Sequence, residues 1–191
     1  MNTFKVLKTL SLADISTIER PTDNEHLNLN SPAYEVFTDF NQHIPLMLEQ
    51  STSVNDAIAL MKRTHVKLKL VIDSRESFRG VISLADLLSV RVMRAAQETG
   101  LSRNDLTVAQ VMTRREALHA ININDLASSR IGDLLATMKN FGDQHVLVVD
   151  PGKGSIRGMI SASDIARRLH IPVSINARAN SFSEVYQAIR A

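Results

Sequence analysis

Apolar positions fall into two matching sets along the chain. Val54, Ala57, Ile58 and Met61 recur at i, i+3, i+4 and i+7, which is one face of a helix, and Ser51-Thr52-Ser53 just ahead offers N-caps. Ile131, Leu134, Leu135 and Met138 repeat that face in the second half. After each helix comes a strand pattern: Val66 to Asp73 alternates, and His145 to Asp150 is a mostly apolar run. Pro45 to Leu48 and Ala117 to Ile121 read as strands ahead of the helices. Two further short strands are Gly80-Val81-Ile82 and Gly158-Met159-Ile160. Turns precede them at Ser74 to Arg79 and at Pro151-Gly152-Lys153-Gly154. Each of the two strands leads into a Ser and a helical pattern. One runs from Ser83 to about Thr99, where Gly100 is a stop; the other runs from Ser161 to about Leu169.

The two sets are copies. Val54 to Lys62 lies over Ile131 to Lys139 at a shift of 77 (131 − 54), and Asp73 lies over Asp150 at the same shift. One extra turn residue then makes the shift 78 (158 − 80), which holds for Gly80/Gly158, Ser83/Ser161 and Asp86/Asp164. Each half reads strand–helix–strand–strand–helix. The second half carries an insertion at Asn122 to Ser129, and Thr107 to Thr113 is a helical turn leading into it. A single unit of this size is marginal alone, so two are expected to pack together. The division is an N-terminal extension (1–39), a first repeat (40–100), a second repeat (101–171) and a tail (172–191). In the extension, Arg20 to Pro32 is Pro-punctuated loop, and Phe4, Leu7, Leu10 and Leu12 make a weak amphipathic piece. In the tail, Ser181-Phe182-Ser183-Glu184 is a capping box, followed by an apolar stripe at Phe182, Val185, Tyr186 and Ile189.

The repeated Gly-x-x-Ser-x-x-Asp run admits two readings. Ser-x-x-Asp is a capping box, in which the Ser accepts from the N3 amide and the acid reaches back. The same geometry presents an acceptor-only carboxylate and free helix N–H groups to a ribose and a phosphate. Repetition at constant spacing favours weighing the second.

Composition narrows the field. A formal net charge of +2 creates no strong field for nucleic acid or an acidic membrane. The absence of cysteine excludes disulfides, thiolate metal sites and Cys nucleophiles, and fits a reducing compartment. Lys5, Lys8 and Asp14 break up the N-terminal apolar residues, and no apolar run is long enough to span a bilayer, so a cytoplasmic protein is expected. The six histidines are scattered without metal-ligand spacing. There is no P-loop, no dinucleotide fingerprint and no recognisable catalytic constellation, so neither catalysis nor a required cofactor is expected.

The residues from Val108 to Thr113, Ile131 to Lys139, His145 to Asp150 and both Gly-x-x-Ser-x-x-Asp runs resemble a pair of CBS domains, a Bateman module, over about Phe40 to Ile171. The resemblance implies an α+β fold of two βαββα units related by a pseudo-two-fold axis. It implies clefts between the halves that take AMP, ADP, ATP or S-adenosylmethionine. By analogy, Asp86 and Asp164 hold ribose hydroxyls, Ser83 and Ser161 hold ribose or the first phosphate, and Ser163 reaches phosphate. Met112 and Thr113 would line the adenine pocket of the second half. The first half shows Asp39-Phe40-Asn41 where a Val-Met-Thr run is expected, which puts its cleft in doubt. His145 occupies a strand position that often carries a basic residue; its alternative is an ordinary edge histidine. Lys67 and Lys69 share a strand face that is either solvated or turned to phosphate. The family often dimerises, so a homodimer with the terminal helix at its interface is expected, reporting to an unknown effector protein. A ligand-free dimerisation scaffold is the competing function.

Overall fold

The computed structural model describes residues 9–13, 15–18, 27–142 and 144–170. The tail helix, and the part of the amphipathic piece carried by Phe4 and Leu7, lie outside these residues. Leu10 and Leu12 are exposed and not helical.

Two four-stranded sheets make up the framework. In the first, β2 (Met47–Glu49), β3 (Leu68–Ile72), β4 (Phe78–Ser83) and β5 (Thr113–Arg114) lie in that order. In the second the order is β1 (Thr38–Asp39), β8 (Ser155–Ser161), β7 (His145–Asp150) and β6 (Ala120–Asn122). Each sheet has one parallel pair, β2 with β3 and β6 with β7, bridged by the crossover helices α1 (Val54–Arg63) and α6 (Ile131–Phe141). Those helices bury the faces the periodicity predicted: Val54, Ala57 and Met61, and Ile131, Leu134, Leu135 and Met138. Their starts are tied down by Asp56 and Asp133. Asp56 takes the Ser53 hydroxyl and gives its own amide to it, and Asp133 accepts from the Arg130 amide at 2.9 Å. Each sheet has a helical core on one face. Leu70 and Leu147, which alternate with core-facing neighbours, are buried on the other.

The repeats exchange strands. β1 precedes the first repeat yet pairs with β8 of the second, Thr38 opposite Met159. β5 precedes the second repeat's own strands yet pairs with β4 of the first, Thr113 opposite Val81. The leading arms match at a shift of 75 (113 − 38). Ser31 accepts from Ile131 N and Leu106 from Val54 N; Ala33 N donates to Ser129 and Val108 N to Thr52. Each arm thus supplies acceptors to orphan N–H groups at a crossover helix start. Val36 and Phe37 occupy the second core as Val111 and Met112 occupy the first. The stretch Leu27 to Asp39, read from the sequence as the end of an extension, is therefore built into the second repeat.

This exchange explains the repeated glycines. Neither has a positive φ. A Cβ on Gly80 would overlap the Thr113 carbonyl, and one on Gly158 would overlap the Thr38 carbonyl and the Phe37 ring. Only a residue without a side chain lets the foreign strand close on the sheet. A side-chain latch holds one of the two crossings. Asp39, 4% exposed, accepts from Arg157 Nε at 2.7 Å and Nη2 at 2.8 Å, from the Asn41 amide at 2.8 Å and from the Tyr34 hydroxyl at 3.3 Å. These donors, Arg157 foremost, hold its carboxyl well below the usual range despite burial.

Three expectations change. The helix read from Ser83 to Thr99 is two, α2 (Leu84–Leu87) and α3 (Val90–Thr99), because Ser89 caps α3, accepting from Arg91 N. The turn read across Thr107 to Thr113 ends early, as α4 (Val108–Val111) followed by strand β5. The insertion is a helix of its own, α5 (Ile123–Ser128), capped by Asn122 and anchored by buried Leu126. The last helix, α7, is Ala162–Arg168.

Candidate functional site

Both Ser–Asp junctions sit where the last strand of a repeat gives way to a helix. Across β3 and β4, Leu68 stands opposite Ser83; across β7 and β8, His145 stands opposite Ser161. His145 is half-buried. Burial lowers its pKa below 6.5, and the Lys67 ammonium acts in the same direction. The Asp164 carboxylate and, more weakly, Asp86 oppose them. One imidazole thus lies within electrostatic reach of both repeat carboxylates. Sequence spacing alone could not show that one imidazole feels both carboxylates.

The junctions differ in detail. Ser83 and Asp86 form a complete capping box: Asp86 N donates to Ser83 Oγ at 3.0 Å, and Ser83 N and Oγ donate to Asp86 Oδ2 at 3.2 and 2.6 Å. Asp86 Oδ1 takes Arg91 Nη1 at 2.6 Å, and the same nitrogen reaches Thr113 Oγ1 at 3.3 Å. At the second junction Ser161 makes no side-chain cap. Its hydroxyl pairs with Ser163 at 2.8 Å, and among the described residues Asp164 accepts only from Arg167, Nη2 to Oδ1 at 2.6 Å. The capping reading therefore describes the first junction fully and the second not at all.

The Met112–Thr113 pair is placed differently from its assignment to the second half. Met112 packs in the first repeat's core and Thr113 joins that repeat's sheet beside Arg91 and Asp86. The cause is the strand exchange. By the same register the Val-Met-Thr counterpart is Val36-Phe37-Thr38, the three residues immediately before the Asp39-Phe40-Asn41 that stood in its place, and Thr38 sits on the Ser161–Asp164 sheet. Thr38 was missed because its strand partner lies 121 residues away (159 − 38); the repeated Val-x-Thr spacing was the available signal. Lys67 is exposed, whereas Lys69 is 7% exposed with Nζ 3.5 Å from the Met47 carbonyl, and burial lowers its pKa. Lys69 is thus neither solvated nor on the junction face. Among the described residues, no cluster of His, Asp and Glu has the arrangement of a metal site, and no helix is long and apolar enough to cross a membrane.

Two strand-swapped units, each ending in Gly-x-x-Ser-x-x-Asp, find their counterpart among known families. The CBS domain pattern matches twice, over residues 36–92 and 108–171. The chain belongs to the CBS domain family. Both matches begin within the arms, consistent with the arms being integral to the fold. An uncharacterized conserved protein from Pyrococcus horikoshii is similar at 23% identity and TM-score 0.55, over 78% of this chain and all of that one. CBSX2 of Arabidopsis thaliana, solved in complex with AMP, is similar at 21% identity and TM-score 0.51, over 72% of this chain and 94% of that one. A CBS-domain protein of Agrobacterium tumefaciens is similar at 18% identity and TM-score 0.52, over 68% and 88%. At these identities the likeness establishes the fold. No curated protein matches the chain in sequence.

Proposed function

We propose that this CBS pair is a non-catalytic sensor that binds an adenine nucleotide or adenosyl compound at the facing Ser–Asp junctions and passes the bound state to a partner protein. The observation that carries the reading is the second junction. Asp164, Ser161 and Ser163 are not consumed by a capping box, and they stand beside a half-buried imidazole. A carboxylate held by an exposed arginine at one oxygen suits a ribose diol, and hydroxyls beside His145 and Lys67 suit phosphate. Thr38, on the same sheet, is the strand position that would border the base. AMP in the similar CBSX2 structure supports the ligand class. The ligand would act by differential affinity for two arrangements of the repeats. A second copy of the chain is the proposed first partner: Leu88, just past α2, and Val90 and Met93 of α3 are exposed apolar residues close together in sequence, the kind of surface another chain covers.

The competing reading, a ligand-free scaffold, draws support from the closed capping box at Ser83–Asp86. Thermal unfolding of nucleotide-free protein with AMP, ADP, ATP and S-adenosylmethionine separates the two. A ligand at about 100 times its Kd stabilises by about 2.7 kcal/mol, or several degrees at about 2–4 °C per kcal/mol. A shift with one ligand supports the sensor; unchanged melting with all four supports the scaffold.

A further inference from the structure

The two junctions are related by sequence repeat but not by their hydrogen bonds, and one part of the difference is an arginine. Asp86 has both oxygens committed, Oδ2 to the Ser83 amide and hydroxyl and Oδ1 to Arg91 at 2.6 Å. Arg91 is held at a second point by Thr113 Oγ1, and its side chain is 41% exposed. It lies on α3, whose start Ser89 fixes, so its Cα is placed by the cap as well as by its contacts. The residue at the equivalent position of the second repeat, at the shift of 78, is Leu169, which has no charge to offer Asp164. Asp164 pairs instead with Arg167, three residues on along the same helix and 76% exposed. An exposed pair of that kind costs little to open. Freeing Asp86 instead means parting a doubly held arginine and a capping box at once.

We propose that Arg91 closes the first junction and makes the chain a single-site sensor, with Asp164 as the ribose-binding carboxylate in use. The inference rests on the nucleotide-binding reading above. Arg91 acts through Asp86 and Thr113 as a plug, and its removal opens a second site.

Calorimetric titration with AMP measures the number of sites. Wild type is expected to bind one AMP per chain and Arg91→Ala two, with the second site at least tenfold tighter than in wild type. Asp164→Ala should bind AMP roughly thirtyfold more weakly than wild type, whereas Arg91→Ala with Asp164→Ala should regain one tight site, at the first junction. Arg91→Gln, which keeps the side-chain stem, repeats the test if Arg91→Ala folds poorly, with folding followed by circular dichroism. Two sites in wild type, or one in both Arg91 variants, overturn the inference and leave the nucleotide reading standing. Absence of binding in folded wild type and in both Arg91 variants overturns both.

Discussion

Replacing Asp39 by Asn keeps the size of the side chain and removes the charge that closes the second strand crossing. The carboxylate side chain is 5% exposed and its partner Arg157 is 22% exposed, so the variant leaves a mostly buried guanidinium without its anion. Removing one member of a buried pair costs about 3–5 kcal/mol. The Asn oxygen still accepts one bond and water reaches part of Arg157, so the expected loss is about 2–3 kcal/mol. In a chain of this length that lowers Tm by roughly 4–12 °C. The pH dependence has a definite sign. The folded pKa lies below the unfolded value of about 3.9, so the stabilisation is fully present above that pH and is lost as pH falls through the folded value. Thermal melts of wild type and Asp39→Asn from pH 7 to pH 3 should show a gap that is constant at first and shrinks below about pH 4. Arg157→Gln and the double variant complete a cycle in which the double loses less than the sum of the singles. A variant that melts with wild type, or a gap unchanged down to pH 3, would refute the claim that this pair secures the exchange.

Gly80→Ala and Gly158→Ala should each cost about 2–3 kcal/mol in chemical denaturation, since the added methyl meets the backbone of the exchanged strand. Ala at Gly100, whose Cβ would meet nothing but whose φ is +70°, should cost less, about 1 kcal/mol. Lys69→Met should raise Tm by about 2–4 °C at neutral pH by removing a desolvated ammonium that has only a 3.5 Å carbonyl contact. Its folded pKa is lowered, so wild type gains stability as pH rises through that value towards 10.5, and the advantage of Met should fade there. His145 is also lowered, below 6.5, so the folded state resists its protonation and wild type should lose stability as pH falls through 6.5. Melts of His145→Gln over the same range should show a flatter profile.

Local chemistry was legible in the sequence. The helix faces of Val54–Met61 and Ile131–Met138 and the strand His145–Asp150 follow from short-range periodicity. The repeat offset of 78 then paired the two junctions. What was not legible depends on contacts between distant residues. Thr38 and Thr113 belong to two-residue strands whose partners lie in the opposite repeat, and two residues carry no alternation to read. Nothing in the sequence accounted for the glycines of the repeated run; they are seats for those exchanged strands. The break at Ser89 was hidden because helical periodicity continues through it, whereas the Ser89 hydroxyl donates to Asp86 O and accepts from Arg91 N. Arg91 carried no motif, and its role comes wholly from where that break aims it.

The central claim is that Asp164 holds a nucleotide ribose, and calorimetric titration of AMP into wild type and Asp164→Ala at pH 7 tests it most directly. Among the described residues Asp164 makes only an exposed pair with Arg167, so the variant should fold and melt close to wild type. Loss of a charged acceptor is worth about 2 kcal/mol, a weakening of roughly thirtyfold. Saturable binding to wild type that is weakened by that order in a folded variant is the predicted result; equal affinity in the two proteins would contradict it.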